Sequence, residues 1–135
     1  MKFKHFLVFT VVFALVALGT SCSKPSEKKL FGKWQLVCHH YRDSDDPEWW
    51  EIQYFDSDEF CWELKEDHTY SISLNGEVQN NGSWMYDKST EKLYLDGEEC
   101  CDVTECTASE MVWNSKEVHD DGFWAEQQWD FKKVK

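Results

Sequence analysis

The sequence predicts an all-β fold, an up-and-down antiparallel β-barrel of about eight strands. Three observations carry this. Apolar and polar residues alternate with a period of two from Trp34 to Phe131, as they do on strands with one buried and one wet face. Turn-forming residues interrupt the alternation at short intervals, Asn75-Gly76 most clearly. No stretch beyond the N-terminal leader shows the helical period.

The leader comes first. Lys2 and Lys4 precede an apolar run from Phe6 to Leu18, and Gly19-Thr20-Ser21 lead into Cys22. Such a segment is a secretory signal, too short and wrongly flanked to span a bilayer. Small residues that stop at a cysteine resemble a bacterial lipoprotein signal, in which the peptidase cuts just before a cysteine that carries the lipid. The resemblance implies that residues 1–21 are removed and that Cys22 is the lipid attachment. The membrane then becomes a partner only through that lipid, and the rest of the chain lies outside the cytoplasm. Ser23 resembles signals that permit transport to the outer membrane. Lys24, Lys28 and Lys29 do not resemble the acidic stretch that sends such proteins to the cell surface, so a periplasm-facing, outer-membrane-anchored protein of the cell envelope is expected. A soluble secreted protein cut nearby is the alternative.

Residues 22–29 read as a tether and residues 30–135 as the barrel domain. Within it Trp34, Leu36 and Cys38 alternate with polar or smaller residues, followed by Phe60, Trp62 and Leu64, then Tyr70, Ile72 and Leu74. Lys65 to His68 makes a tight connection. Asn75-Gly76 closes a hairpin between Leu74 and Val78, because both positions tolerate positive φ. Beyond it come Trp84 and Tyr86, Leu93 and Leu95, Cys101 and Val103, Met111 and Trp113, and Trp129 and Phe131. Turn residues or charge separate these runs. Neighbours in sequence are then neighbours in space, and closing the ribbon gives both outer strands a partner.

Charge excludes whole classes of partner. The chain carries 14 basic and 26 acidic residues; removing the leader takes away only Lys2 and Lys4, leaving 12 against 26 and a net charge of −14. That balance repels phosphate backbones and anionic headgroups, so no nucleic-acid partner is expected. Eight tryptophans and 16% aromatic residues supply the apolar bulk for one core, so the acidity does not signal disorder.

Leu30-Phe31-Gly32-Lys33-Trp34-Gln35-Leu36-Val37 resembles the opening Gly-x-Trp strand of lipocalins. Leu64-x-x-Asp67-His68-Thr69-Tyr70, Gly82-Ser83-Trp84 and Trp129-Asp130-Phe131-Lys132-Lys133 resemble the compact lipocalin-like lipoproteins of Bacteroides-type bacteria. The resemblance covers nearly all of residues 30–135. It implies a lipocalin-like barrel that holds a small apolar or amphipathic ligand inside or at its mouth, with the first loop as a lid. Lipocalins place an arginine on the last strand against the opening tryptophan. Here the single arginine is Arg42, leaving Lys132 or Lys133 for that task, and His68 stands where the family commonly has glycine.

Trp34, Trp62, Tyr70, Trp84 and Trp113 all fall on the inward parity and are the expected ligand-binding residues if the barrel is hollow; if it is filled, they are its core. Arg42 to Asp58 reads as the longest connection, with Trp49 and Trp50 as the lid or as anchors on the rim. Asp43, Asp45, Asp46 and Glu48 lack the glycine and spacing of a calcium loop. Cys38-His39-His40 and Cys100-Cys101-x4-Cys106 concentrate ligand types without zinc-ribbon spacing. Neighbouring strand residues point to opposite faces, so no metal or other cofactor is expected.

In an oxidising compartment the five cysteines after Cys22 favour disulfides, with at least one thiol left over. Cys38 shares the inward parity of Trp34 and Leu36, whereas Cys61 lies between inward Phe60 and Trp62. A bridge from Cys38 is therefore expected to reach Cys100, Cys101 or Cys106. No histidine, cysteine or carboxylate pair forms a recognised catalytic motif, so no catalytic residues and no enzyme are expected. Two functions remain: a lipid-anchored envelope protein that binds a small apolar or amphipathic ligand, or a structural lipoprotein with a filled barrel that contacts another envelope protein.

Overall fold

The computed structural model describes residues 24–135, so the leader and Cys22 lie outside the described residues. After a single helical turn, α1 (Glu27–Leu30), come nine strands: β1 (Gly32–Asp43), β2 (Glu51–Tyr54), β3 (Phe60–Leu64), β4 (Thr69–Leu74), β5 (Glu77–Asp87), β6 (Lys92–Leu95), β7 (Glu98–Cys106), β8 (Glu110–Val118) and β9 (Trp124–Lys133). All pair antiparallel in the order β2-β1-β3-β4-β5-β6-β7-β8-β9, and β1 pairs with β9 to close the barrel.

The barrel has eight staves because β2 and β3 share one. The end of β1 pairs with β2, Cys38 opposite Tyr54, and its start pairs with β3, Trp34 opposite Trp62. The Phe55 amide donates to Val37 O at 3.0 Å, and residues 56–59 loop out before the strand resumes. The expected long connection from Arg42 to Asp58 is thus interrupted by the strand Glu51–Tyr54, which leaves two shorter loops, residues 44–50 and 55–59.

Turn chemistry sets the hairpins. Asn75 and Gly76 take φ of 51° and 86°, as expected for their hairpin, and Asp96 with Gly97 does the same at 54° and 82°. His68 is left-handed at 65°, the conformation for which glycine is the usual choice. The Asp96 turn folds back on the barrel wall: its carboxylate accepts the Tyr70 hydroxyl at 2.7 Å and the Ser83 amide at 3.0 Å. Gly82 is required beneath it, because a Cβ there would lie 2.0 Å from Asp96 Oδ1.

The lower barrel is packed solid. Trp34, Leu64, Leu93, Val103 and Met111 are fully buried, and Leu36, Tyr70, Trp84, Trp113 and Phe131 nearly so. The base is closed by the segment expected to be a tether. Pro25 and Leu30 are buried, Lys24 donates to Ser89 O at 2.8 Å, and Glu27 meets His68 at 2.5 Å. Leu30 O accepts the Trp34 indole N–H at 2.8 Å. Lys133 performs the expected task, with its ammonium 4.5 Å from the centre of the Trp34 ring while donating to Phe31 O.

Two tyrosines make this core sensitive to alkali. Donation to Asp96 raises the Tyr70 pKa to about 12, with burial adding to it. Burial, reinforced by nearby Glu91, raises Tyr86 to about 12. Both are raised above the ordinary value of 10, so their contribution to stability is fully present below that pH and is lost as the pH rises toward 12. Titration followed by phenolate absorbance should show two late-ionising tyrosines, and Tyr70→Phe should remove one. Ionisation of every tyrosine in one step near pH 10 would refute the assignment.

Candidate functional site

The inward parity of the five expected ligand-binding residues is borne out, and four of them are core. Trp34 is fully buried; Tyr70, Trp84 and Trp113 are 2–3% exposed. Trp84 donates its indole N–H to Lys65 O at 3.0 Å and takes Phe31 edge-on at 5.8 Å. Trp62 differs. It is half-buried, stacks on Tyr70 at 6.0 Å and meets Trp113 edge-on at 5.1 Å, so its upper side forms a floor.

Above that floor the barrel is open along one side. The β6–β7 hairpin stops at the level of Ser83, whose carbonyl accepts the Asp96 amide. Higher up, the β5 residues from Glu77 to Ser83 pair only with β4. On the far side of the gap, Ser115 to Val118 of β8 pair only with β9. A polar notch of about 340 Å³ marks where β7 and β8 part, with Cys100, Ser115 and Lys116 on its walls.

A one-residue bulge sets the inner face of the mouth. Between Leu36 and Cys38 the β1–β9 register slips, Leu36 facing Phe131 but Cys38 facing Asp130. Side chains beyond the slip exchange faces. His39 and Tyr41 therefore line the interior, opposite Gln53 and Glu51, around a groove of about 310 Å³. His39 lies over Trp129 at 5.4 Å and 23° and hydrogen-bonds Gln127 Oε1 at 3.0 Å. Phe55, Phe60, Ile72 and Trp129 pack, like Trp62, against the top of the buried core and are only half-buried. Beneath them the indole N–H of Trp113, 2% exposed, has no acceptor among the described residues. A buried N–H without an acceptor costs free energy.

The same bulge corrects two expectations. Cys38 faces outward, not inward, and with Cys100, Cys101 and Cys106 on β7, three strands away around the barrel, the expected bridge does not form. All five described cysteines are free thiols. Burial and the Asp130 carboxylate push the Cys38 thiol above its ordinary range. A thiol so protonated is a poor nucleophile at neutral pH.

Trp49 and Trp50 do not close the mouth. Trp50 lies against the outer wall, 4.3 Å over the Arg42 guanidinium and edge-on to His40 at 6.1 Å, while Trp49 is 67% exposed. Arg42 is fixed in turn by Glu126, which accepts at 3.1 and 2.8 Å. Burial pushes Glu126 upward, but the hydrogen bonds from Arg42 and Asn114 outweigh it and hold its pKa below the usual range. The acids of the loop serve the loop itself, Asp43 Oδ1 accepting the amides of Asp45 and Asp46.

The mouth residues that sequence reasoning missed are His39, Tyr41, Gln53 and Gln127. The simple alternation placed His39 on the outside, and the single inserted residue at Val37 has no composition signal. Comparison with known protein families finds none that matches this chain, and a search of curated proteins finds no similar sequence.

Proposed function

We propose that this protein is a lipid-anchored binding protein of the bacterial envelope that takes a small amphipathic ligand at the mouth of its barrel. The observation that carries this reading is the half-buried aromatic floor of Phe55, Phe60, Trp62 and Trp129, which sits under a polar wall of His39, Tyr41, Gln53 and Gln127. An apolar body with one or two polar groups fits such a surface. The filled lower half argues against a ligand enclosed deep in the barrel.

A neutral, fluorescent arylamine probe tests this. It should bind the wild-type protein with a change in tryptophan emission, and Trp129→Ala should weaken binding by about tenfold, the order of one lost aromatic contact. Trp49→Ala, on the outside, should leave the affinity unchanged. If the wild type binds no probe, or if Trp129→Ala binds as well as wild type, the reading fails. The second reading, a contact surface for another envelope protein, is favoured by exposed Trp49, Ile52 and Tyr54, grouped on the loop and on the outer face of β2. Pull-down of an envelope protein that is lost on Tyr54→Ala would support it.

Anchoring is tested separately, because Cys22 lies outside the described residues. Cys22→Ser should abolish lipid labelling and move the protein from the detergent phase to the aqueous phase. Unchanged partitioning would rule out the lipid anchor.

A further inference from the structure

The outer wall gathers a second set of groups. Strand alternation, which separates Cys38 from His39, puts Cys38 and His40 on one face, and the bulge then brings that face into line with Asp130 of β9. Without the inserted residue, Cys38 and His40 would face the interior and Asp130 the solvent. As folded, one donor atom from each of the three lies within 4.8 Å of the other two. His40 Nε2 is 3.0 Å from Asp130 Oδ2, and Gln128 Nε2 donates to the other carboxylate oxygen at 2.9 Å, so Asp130 is oriented. Cys38 is 5% exposed, and the side chains of His40 and Asp130 are 22% and 35% exposed, which leaves one accessible side.

We infer that Cys38, His40 and Asp130 form a binding site for a borderline divalent transition-metal ion of the zinc class. Ligands at about 2.0–2.3 Å on a tetrahedral ion stand roughly 3.3–3.7 Å apart. The His40–Asp130 spacing is already close to that, and small side-chain rotations would bring in Cys38 from the distance observed. The donor set selects the ion: thiolate and imidazole disfavour calcium and magnesium, which take oxygen. Thiolate, carboxylate and neutral imidazole carry two negative charges for a divalent cation. On binding, the Cys38 thiol gives its proton to solvent as the metal–sulfur bond forms, with no change of oxidation state. Three protein ligands leave the fourth position open to water or to an incoming ligand. Trp50 packs edge-on against the His40 ring.

The test is titration of the full chain, stripped with a chelator and kept reduced, with cobalt(II). A thiolate-to-cobalt charge-transfer band in the near ultraviolet and the visible bands of a tetrahedral ion are expected, with displacement by zinc but not by magnesium or calcium. Cys38→Ser should abolish the charge-transfer band, and His40→Gln and Asp130→Asn should each weaken binding by on the order of ten- to a hundredfold. His39→Gln, on the opposite face, should leave the cobalt spectrum unchanged. Zinc should raise the Tm of the wild type but not of Cys38→Ser. If Cys38→Ser is unfolded by circular dichroism, His40→Gln and Asp130→Asn decide. Absence of binding, a charge-transfer band that survives in a folded Cys38→Ser protein, or equal losses from His39→Gln and His40→Gln would overturn the assignment.

Discussion

Trp34→Ala is expected to remove about 3–5 kcal/mol of unfolding free energy, a large share of what a domain of this size possesses. The side chain is fully buried at the base of the barrel, its N–H is spent on Leu30 O, and the Lys133 ammonium lies over its ring. Truncation leaves a void bounded by strands already paired on both sides, which have little freedom to collapse into it. It also orphans the Leu30 carbonyl and strips Lys133 of its aromatic contact. Thermal unfolding should show the Tm falling by about 10 °C or more, and denaturant titration should show a shifted midpoint. A loss below about 1 kcal/mol would mean that the indole is not part of a rigid core.

Leu30→Ala should cost about 2–5 kcal/mol, although this residue stands at the edge of what reads as a tether. Leu30 is completely buried and plugs the lower opening, held there by the turn Glu27–Leu30 and by the bond from Lys29 N to Ser26 O. Lys28→Ala, two residues away and exposed, should stay within about 0.5 kcal/mol of wild type. Denaturation curves for the two variants separate a plug from a linker. Equal and small losses would mean that the segment only connects the barrel to whatever precedes it.

Most of the barrel was legible because its signals are periodic. Each predicted run, from Trp34 through Trp129 and Phe131, became a strand, since alternation is the direct imprint of a wall with one buried face. The turn at Asn75-Gly76 was legible because its chemistry is local. What escaped was non-periodic. The bulge at Leu36–Cys38 is one residue long, yet it reverses every side chain beyond it, so His39 entered the mouth and Cys38 left the core. The strand Glu51–Tyr54 was hidden in an apparent loop because Ile52 and Tyr54, its alternating apolar residues, face water. A four-residue helix has no period to detect. Trp50 looked like a lid because sequence does not say which face of β1 carries Arg42, the cation that holds it.

The gap above the β6–β7 hairpin also affects how copies of this chain behave toward one another. The stretch from Glu77 to Asn81 on β5 and the stretch from Ser115 to Val118 on β8 each leave a row of backbone donors and acceptors without a strand partner, a template on which a second chain could add. Val78 and Val118, both more than 60% exposed, are the apolar points along these rows. Glu77, Lys116 and Glu117 stand beside them as the charges that discourage such addition, helped by a net charge of −12 that keeps like molecules apart. Protection of that kind is electrostatic and therefore screened by salt. As ionic strength rises, the edges lose their repulsion while the backbone groups remain, and colloidal solubility is set by the salt concentration at which that balance turns.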